Sequence, residues 1–228
     1  MSSSDTHTAR QRLRVTFAKG AQLKYISHLD LSLAWERALR RADVPLAYSQ
    51  GHTPHARIQL ASGLPLGYTS SNEVMDVVLT GPMSPSEFDA RVRPALPTGL
   101  TVRSVQEVPL KSPSLQSSLR QAVYRVVVET WLPVEELTRR IADLLAADRI
   151  DQQRMRKGQR ETFDLRPLVE DIALETIEEE DGRPVLSMRL SAGQRGNVRP
   201  DTVLEALGIG DSYALVERTQ LLFEFDNA

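Results

Sequence analysis

The order in which strand and helix patterns follow one another constrains the fold of this chain more than any other feature. Between residues 11 and 112 the sequence reads strand, helix, strand, strand, helix, strand. This is the split βαβ, or ferredoxin-like, arrangement. The same order recurs between residues 120 and 228 with added β-hairpins, although the two halves are not detectably similar residue by residue. The sequence therefore predicts an α+β protein with two ferredoxin-like halves in tandem.

The first strand is recognised by a strict alternation of apolar and polar residues. Leu13, Val15 and Phe17 fall on one face, and Arg12 and Arg14 fall on the other. A period-2 pattern of this kind is typical of a half-buried strand with one face in water. We therefore expect the two arginines to be exposed.

Capping signals mark the helices of the first half. Ser27 begins a capping box, and an apolar face at helical spacing follows it until Pro45. Ser84 followed by Pro85 gives the second helix an N-cap and an N1 proline. Residues 23–26, before the first helix, are predicted to form a short extended piece.

The second half adds hairpins to the same order of elements. Pro133 opens a helix that is predicted to have Leu145 on its apolar face. One hairpin is predicted with arms that flank Lys157-Gly158, and another pairs residues 168–177 with residues 185–190. The sequence thus predicts a disordered tail over 1–10, a first domain over 11–112, a linker over 113–119 and a second domain over 120–228.

Composition excludes several classes of chemistry. The chain of 228 residues contains no cysteine, which excludes disulfides, thiolate-bound zinc, iron–sulfur clusters on cysteine and thiol nucleophiles. There is no glycine-rich phosphate loop and no G-x-S-x-G motif. Apolar runs such as 126–128 fall far short of the ~20 residues that span a bilayer, and residues 1–10 lack the apolar core of a signal peptide. We expect a cytoplasmic protein without membrane contact, and no cofactor is predicted.

Basic residues are concentrated early in the chain, although the formal net charge is −2. Residues 1–60 contain nine basic and four acidic residues, and residues 149–166 contain six and three. Rings beside arginines are typical of single-stranded RNA recognition, because rings and guanidinium planes stack on bases while cations bind phosphates. The candidate RNA-binding residues are Lys24, Tyr25, His28, Arg37, Arg40, Arg41, Tyr48, Gln50, His52, His55, Arg57, Arg154, Arg156, Lys157 and Arg160. We expect the early group to form one exposed pocket and both groups to line one groove between the two halves. The alternative is that these are ordinary solvated faces.

Three of the four histidines, His28, His52 and His55, fall within one short reach of the chain. A helix N-terminus disfavours a cation, so we expect the imidazole of His28 to be neutral. Imidazoles without cysteine and with few nearby carboxylates form a weak set of metal ligands. A structural hydrogen bond, ligand contact and catalysis all stay open, and no catalytic or metal-binding residue is assigned.

Several segments resemble the radical SAM-linked family of uncharacterised bacterial proteins. The resemblance is dense over the first 115 residues and lies in the segments 24–30, 36–42, 45–51, 54–55 and 64–67, with thinner matches at 157–158 and 164–167. The family usually has Phe-Asn before Pro-His and Pro-Lys after it, whereas this chain has His52-Thr53 and Ala56-Arg57. The resemblance implies a B12-binding radical SAM protein as partner, and often a neighbouring ribonuclease of the E/G type.

The expected function is that of a non-catalytic accessory protein that presents RNA to a separate radical SAM enzyme, in RNA modification or processing. The radical chemistry needs three cysteines on a [4Fe–4S] cluster, so this chain cannot be the radical enzyme. One alternative is a metal-independent ribonuclease resembling CRISPR repeat-processing endonucleases. In it, His28 or His55 would take the proton of a ribose 2′-OH while Lys24 stabilises the phosphorane. The other is a protein–protein adaptor in which residues 23–57 contact the radical SAM partner without nucleic acid.

Overall fold

The protein is an α+β protein that divides into two compact units, Met1–Ser118 and Leu119–Ala228. The computed structural model describes residues 9–156, 158–177, 182–194 and 196–227. Most of the predicted tail, residues 1–8, lies outside the described residues. Within the described part of the chain, no helix is long and apolar enough to cross a membrane.

The elements of unit 1, Met1–Ser118, are β1 (Gln11–Lys19), α1 (His28–Arg41), β2 (Ile58–Leu60), β3 (Thr69–Leu79), α2 (Pro85–Val92), β4 (Leu100–Val108) and α3 (Leu115–Ser118). The strands of this unit form one sheet in the order β4-β1-β3-β2, and each neighbouring pair is antiparallel. Both predicted caps are confirmed. The Ser27 hydroxyl accepts from the backbone N–H of Asp30 at 3.1 Å, and the Ser84 hydroxyl accepts from that of Glu87 at 3.1 Å.

The core of unit 1 lies between one face of the sheet and the two long helices. Leu13, Val15 and Phe17 are fully buried, as the alternation in β1 predicts. The rings of Phe17 and Trp35 meet edge to face, with centroids 4.9 Å apart, a geometry that aromatic pairs favour. Phe88 places the buried side of α2 in the same cluster.

The expectation that Arg12 and Arg14 are exposed was wrong. Both are buried on the face of β1 opposite the core, where they share the carboxylate of Asp76 on β3. A buried guanidinium is tolerated when it is paired and hydrogen-bonded. The register explains the pairing, since Arg14 lies directly opposite Asp76 and Arg12 lies opposite Val78.

Two connecting segments of unit 1 contain short helices. The predicted extended piece at 23–26 was wrong, because Ala21–Leu23 forms a turn of 3₁₀-helix and the chain continues through turns to Ser27. The segment expected to be a linker contains α3, whose Leu115 is fully buried. The Gln116 side chain also donates to the carbonyl of Leu60 at 3.4 Å.

Unit 2, Leu119–Ala228, has one sheet in the order β10-β5-β9-β8, again antiparallel at each pair, and a separate hairpin of β6 and β7. Its elements are β5 (Leu119–Val128), α4 (Val134–Ala146), β6 (Asp151–Arg156), β7 (Gln159–Asp164), β8 (Val169–Ile177), β9 (Pro184–Ser191), α5 (Pro200–Ala206) and β10 (Ala214–Phe223). Both hairpins are confirmed. The buried face of α4 contains Leu144 and not Leu145, which is half-buried.

Candidate functional site

The N-terminal end of α1 carries an exposed tyrosine with a cation over its ring. Tyr25 is 73% exposed, and the Lys24 Nζ lies 4.9 Å from its ring centroid. The backbone here is fixed, because the Lys24 carbonyl accepts from the N–H of Gly67 at 2.8 Å and from the Lys19 ammonium at 3.3 Å. A ring that is open to solvent can stack on a base.

His28 is the first residue of α1 and is half-buried. Its Nδ1 is buried and has no hydrogen-bond partner within the part of the chain that the structure describes. The ring lies close to Gly63, where an added Cβ would stand 4.0 Å from Nδ1. No carboxylate orients this imidazole there, so it lacks the positioning that a general base has in known catalytic arrangements.

The C-terminal end of α1 carries a second pair of a cation and a ring. Arg40 Nε donates to the Tyr48 hydroxyl at 3.1 Å, and the guanidinium carbon lies 5.6 Å from the Tyr48 ring centroid. Arg40 also pairs with Glu36 at 3.1 Å. The hydrogen bond with Tyr48 and the charge of Glu36 raise the pKa of Arg40. Arg41 is used structurally, since it donates to the carbonyl of Ala95 at 2.6 Å.

Arg37 and the loop after Tyr48 present polar groups to solvent. Arg37 is exposed, and nothing in the described residues forms a hydrogen bond or an ion pair with its side chain. The loop is closed by an antiparallel bridge between Tyr48 and Ala56 and by two hydrogen bonds between Ser49 and His55. Gln50, His52, His55 and Arg57 are all exposed.

The structure does not bring the early candidate residues into one pocket. His28 and Arg40 are twelve residues apart on one helix, which corresponds to about 18 Å along its axis. Lys24 and Tyr25 therefore belong to the N-terminal end of α1, and Tyr48 with its loop belongs to the other end. The expectation of a single pocket was wrong, because a straight helix separates the two groups.

The candidate residues in unit 2 lie on the hairpin of β6 and β7. Arg154 pairs with Glu161 at 3.2 Å, and its guanidinium carbon lies 4.7 Å from the ring centroid of Phe163. Arg160 is exposed. Lys157 and the side chain of Arg156 lie outside the described residues.

Sequence reasoning missed a cleft of about 360 Å³ in unit 1. Its lining includes the buried Arg12 and Asp76, the exposed Arg57, and Gln59 of β2, together with the apolar Ile58, Val78 and Leu110. One signal could have found it. Asp76 is a lone carboxylate in the apolar run 74–78, and a carboxylate that is buried needs a cationic partner.

Metal binding finds no support in the geometry of the described residues. No group of three or more histidine, aspartate or glutamate side chains is placed there to hold a metal ion.

Comparison with known proteins identifies the family but no function. The family described as "uncharacterized protein conserved in bacteria (DUF2344)" matches residues 12–200. The chain belongs to this family. No curated protein matches the sequence.

Solved structures with similar coordinates share little sequence with this chain. A chain of a "Cbf5-Nop10-Gar1 complex" is 12% identical with a TM-score of 0.49, over 92% of this chain and 48% of that one. A chain of an "archaeal box H/ACA sRNP Nop10-Cbf5 complex" is 8% identical with a TM-score of 0.45, over 94% and 49%. This chain thus spans about half the length of the chains that it matches.

Proposed function

We propose that this protein is a cytoplasmic, non-catalytic RNA-binding accessory protein that presents RNA to a separate enzyme. The observation that carries the proposal is the exposed Tyr25 ring beside the Lys24 ammonium. An open aromatic face stacks on an unpaired base, and a neighbouring cation binds the adjacent phosphate. Single-stranded or looped RNA offers both groups at this spacing, whereas a duplex hides its base faces.

The remaining candidate residues supply further contacts of the same kind. Arg40 with Tyr48 and Arg154 with Phe163 repeat the pairing of a cation with a ring. Arg37, Gln50, His52, His55 and Arg57 are exposed and offer donors for phosphate and base edges. His28 contributes a half-buried ring beside the same helix end as Tyr25.

We also propose that each unit is a ferredoxin-like domain. The strand orders β4-β1-β3-β2 and β10-β5-β9-β8 support a ferredoxin-like arrangement in each unit. In the second unit the hairpin of β6 and β7 is an insertion after α4. We take 11–112 and 120–228 as the two domains, joined through 113–119.

The enzyme partner is a B12-binding radical SAM protein, and an E/G-type ribonuclease is a further partner. The support for this part is the sequence resemblance described above. The absence of cysteine from the chain means that a partner must hold any iron–sulfur cluster.

The test is RNA binding by the Tyr25→Ala variant, measured by fluorescence anisotropy with labelled single-stranded RNA. Loss of one stacked base weakens binding by about 1–3 kcal/mol, or roughly 5- to 150-fold. Tyr213→Ala is the matched control, because Tyr213 is 55% exposed and belongs to unit 2. We expect its affinity to equal that of the unsubstituted protein. Equal RNA affinity for Tyr25→Ala and the unsubstituted protein would contradict the proposal.

Results from either of two other experiments, a cleavage assay and a pull-down, would replace the proposal. Cleavage of RNA in EDTA that is lost in His28→Ala would indicate a ribonuclease. Retention of the radical SAM partner after nuclease treatment, together with no RNA binding at any salt concentration, would indicate a protein–protein adaptor.

A further inference from the structure

We infer that the cleft between Arg12 and Arg57 binds one nucleotide that carries a terminal phosphate, as a free mononucleotide or as the end of an RNA strand. This inference deepens the proposed function and rests on it where the phosphate belongs to RNA. It concerns a surface other than the Tyr25 ring, and it introduces two binding residues, Arg12 and Gln59, that the sequence did not indicate.

Arg12 supplies a fixed cationic group in the cleft. Its side chain is only 8% exposed. Its guanidinium donates to Asp76 through Nε and Nη2, to the Ser112 carbonyl through Nη1 at 2.7 Å, and to the Pro113 carbonyl through Nη2 at 3.1 Å. A guanidinium has five N–H donors, and these four contacts leave one N–H on Nη1. Because the group is held on several sides, little conformational entropy is lost when it binds an anion.

Arg57 supplies a second guanidinium at the exposed side of the cleft. Its backbone is fixed on both sides, because its N–H donates to the carbonyl of Ala47 at 2.8 Å and its carbonyl accepts from Val78 at 3.0 Å. No side-chain hydrogen bond or ion pair of Arg57 occurs with any described residue. A planar guanidinium with free donors is well suited to bidentate binding of phosphate oxygens.

The carboxylate in the cleft does not cancel these two cations. Asp76 is 2% exposed, and both of its oxygens are bound: Oδ2 by Arg12, and Oδ1 by Arg14 at 2.9 Å. The lining of the cleft thus contains two guanidinium groups, those of Arg12 and Arg57, and one carboxylate. The cleft therefore has an excess of positive charge, which favours an anionic ligand.

The size and the walls of the cleft favour one nucleotide. A volume of about 360 Å³ lies at the lower end of the range of small-molecule sites, about 300–1,000 Å³. Ile58, Val78 and Leu110 provide apolar contact for a ribose or a base face, and the Gln59 amide can donate to and accept from a base edge. A single nucleotide with its phosphate between Arg12 and Arg57 uses all of these groups.

The experiment compares three RNA oligonucleotides of one sequence, with a 5′-phosphate, a 3′-phosphate or hydroxyls at both ends. Affinities are measured by calorimetry for the full chain and for Arg57→Gln, with Arg91→Gln as a matched control because Arg91 is also an exposed arginine of unit 1. Adenosine and its 5′-monophosphate form a further pair of probes.

We expect one terminal phosphate to strengthen RNA binding about 10-fold, as charge-assisted hydrogen bonds do. We expect Arg57→Gln to abolish that gain and Arg91→Gln to preserve it. A preference for the monophosphate over adenosine that depends on Arg57 supports the cleft even if no RNA binds. Equal affinity for RNA with and without terminal phosphates would overturn the proposal that the cleft binds a phosphate. It would leave the proposal that Tyr25 stacks on RNA unaffected.

Discussion

At the residue scale, the carboxylate of Asp76 on β3 pairs with both Arg12 and Arg14 of β1, which are buried. Alternation in β1 predicts which side chains enter the core, and Leu13, Val15 and Phe17 do so. It cannot predict that the other face is also covered, because that depends on Asp76 and on the carbonyls of 112–113, which are distant in sequence.

The first residue prediction concerns Asp76→Asn, which leaves Arg12 and Arg14 buried without their carboxylate. Breaking a buried ion pair costs about 3–5 kcal/mol in the free energy of unfolding. We expect a loss of that size, measured by urea denaturation. Asp89→Asn is the control, since the ion pair of Asp89 with Arg93 is solvent-exposed and such pairs contribute at most about 1 kcal/mol. Similar losses in both variants would contradict a structural role for the cluster.

The second residue prediction concerns pH. Hydrogen bonds from Arg139 and Arg140 lower the pKa of Glu136 from 4.5 to about 2. A carboxylate with a lowered pKa stabilises the folded state above its unfolded pKa, and this contribution is lost as the pH falls toward about 2. We expect Glu136→Gln to be less stable than the unsubstituted protein at pH 6, with the difference vanishing between pH 4.5 and 2.

Thermal denaturation across this pH range measures the difference. Glu135→Gln is the matched control, because Glu135 is exposed in the same turn of α4. A Glu136→Gln difference that persists unchanged at pH 2 would show that the ion pairs do not cause it.

At the element scale, local signals predicted where elements begin but not how connections run. Ser27 and Ser84 were recognised as N-caps because a cap depends on residues within one turn. The prediction of an extended piece at 23–26 is wrong because a pattern of only a few apolar residues does not distinguish an extended piece from a 3₁₀ turn. Leu115 gave no helix signal of its own, and its burial depends on β2 and β3, which α3 contacts.

An element-scale prediction concerns the turn after β9. Gly193 has φ +97°, and an added Cβ would lie 2.6 Å from the carbonyl oxygen of Leu119. Gly193→Ala combines a left-handed backbone, which costs about 1–2 kcal/mol, with a clash against backbone that holds the start of β5. Gly182→Ala has the left-handed cost alone, because φ is +69° and none of the described residues has an atom within 4 Å of the added Cβ.

We therefore expect Gly193→Ala to be less stable than Gly182→Ala by at least about 1 kcal/mol. Urea denaturation of the two variants measures the difference directly. Equal stabilities would mean that β5 moves to accommodate the added carbon. The start of β5 would then be less rigidly held against the end of β9 than the 2.8 Å hydrogen bond from the Ala192 N–H to the Arg120 carbonyl indicates.

At the scale of the whole molecule, the sequence shows how charge is distributed along the chain but not which charged residues lie close together in space. The excess of basic residues before residue 60 follows from counting. Counting does not show that the length of α1 separates these residues into two groups. That separation arises because Tyr48 lies beside Arg40 and not beside His28. The cleft beside Arg12 likewise cannot be predicted from the sequence, because its lining comes from four separate stretches of the chain.

The distribution of charge predicts how RNA binding depends on salt. A net charge of −2 gives no general attraction for a polyanion, and Glu170, Asp171 and Glu175 are exposed on β8. Binding must therefore come from local cations. Each phosphate neutralised on a single strand changes the slope of log K against log salt by about −0.7. Four cations, Lys24, Arg37, Arg40 and Arg57, then give a slope of about −3.

Anisotropy titrations over a range of salt concentrations measure this slope. Lys24→Gln removes one phosphate contact, so we expect the slope to become less steep, at about −2, while the stacking of Tyr25 is retained. Arg91→Gln, on the exposed side of α2, should leave the slope unchanged. If Lys24→Gln binds RNA with the same slope as the unsubstituted protein, the phosphates contact some other surface of the molecule, and the N-terminal end of α1 is not where the strand lies.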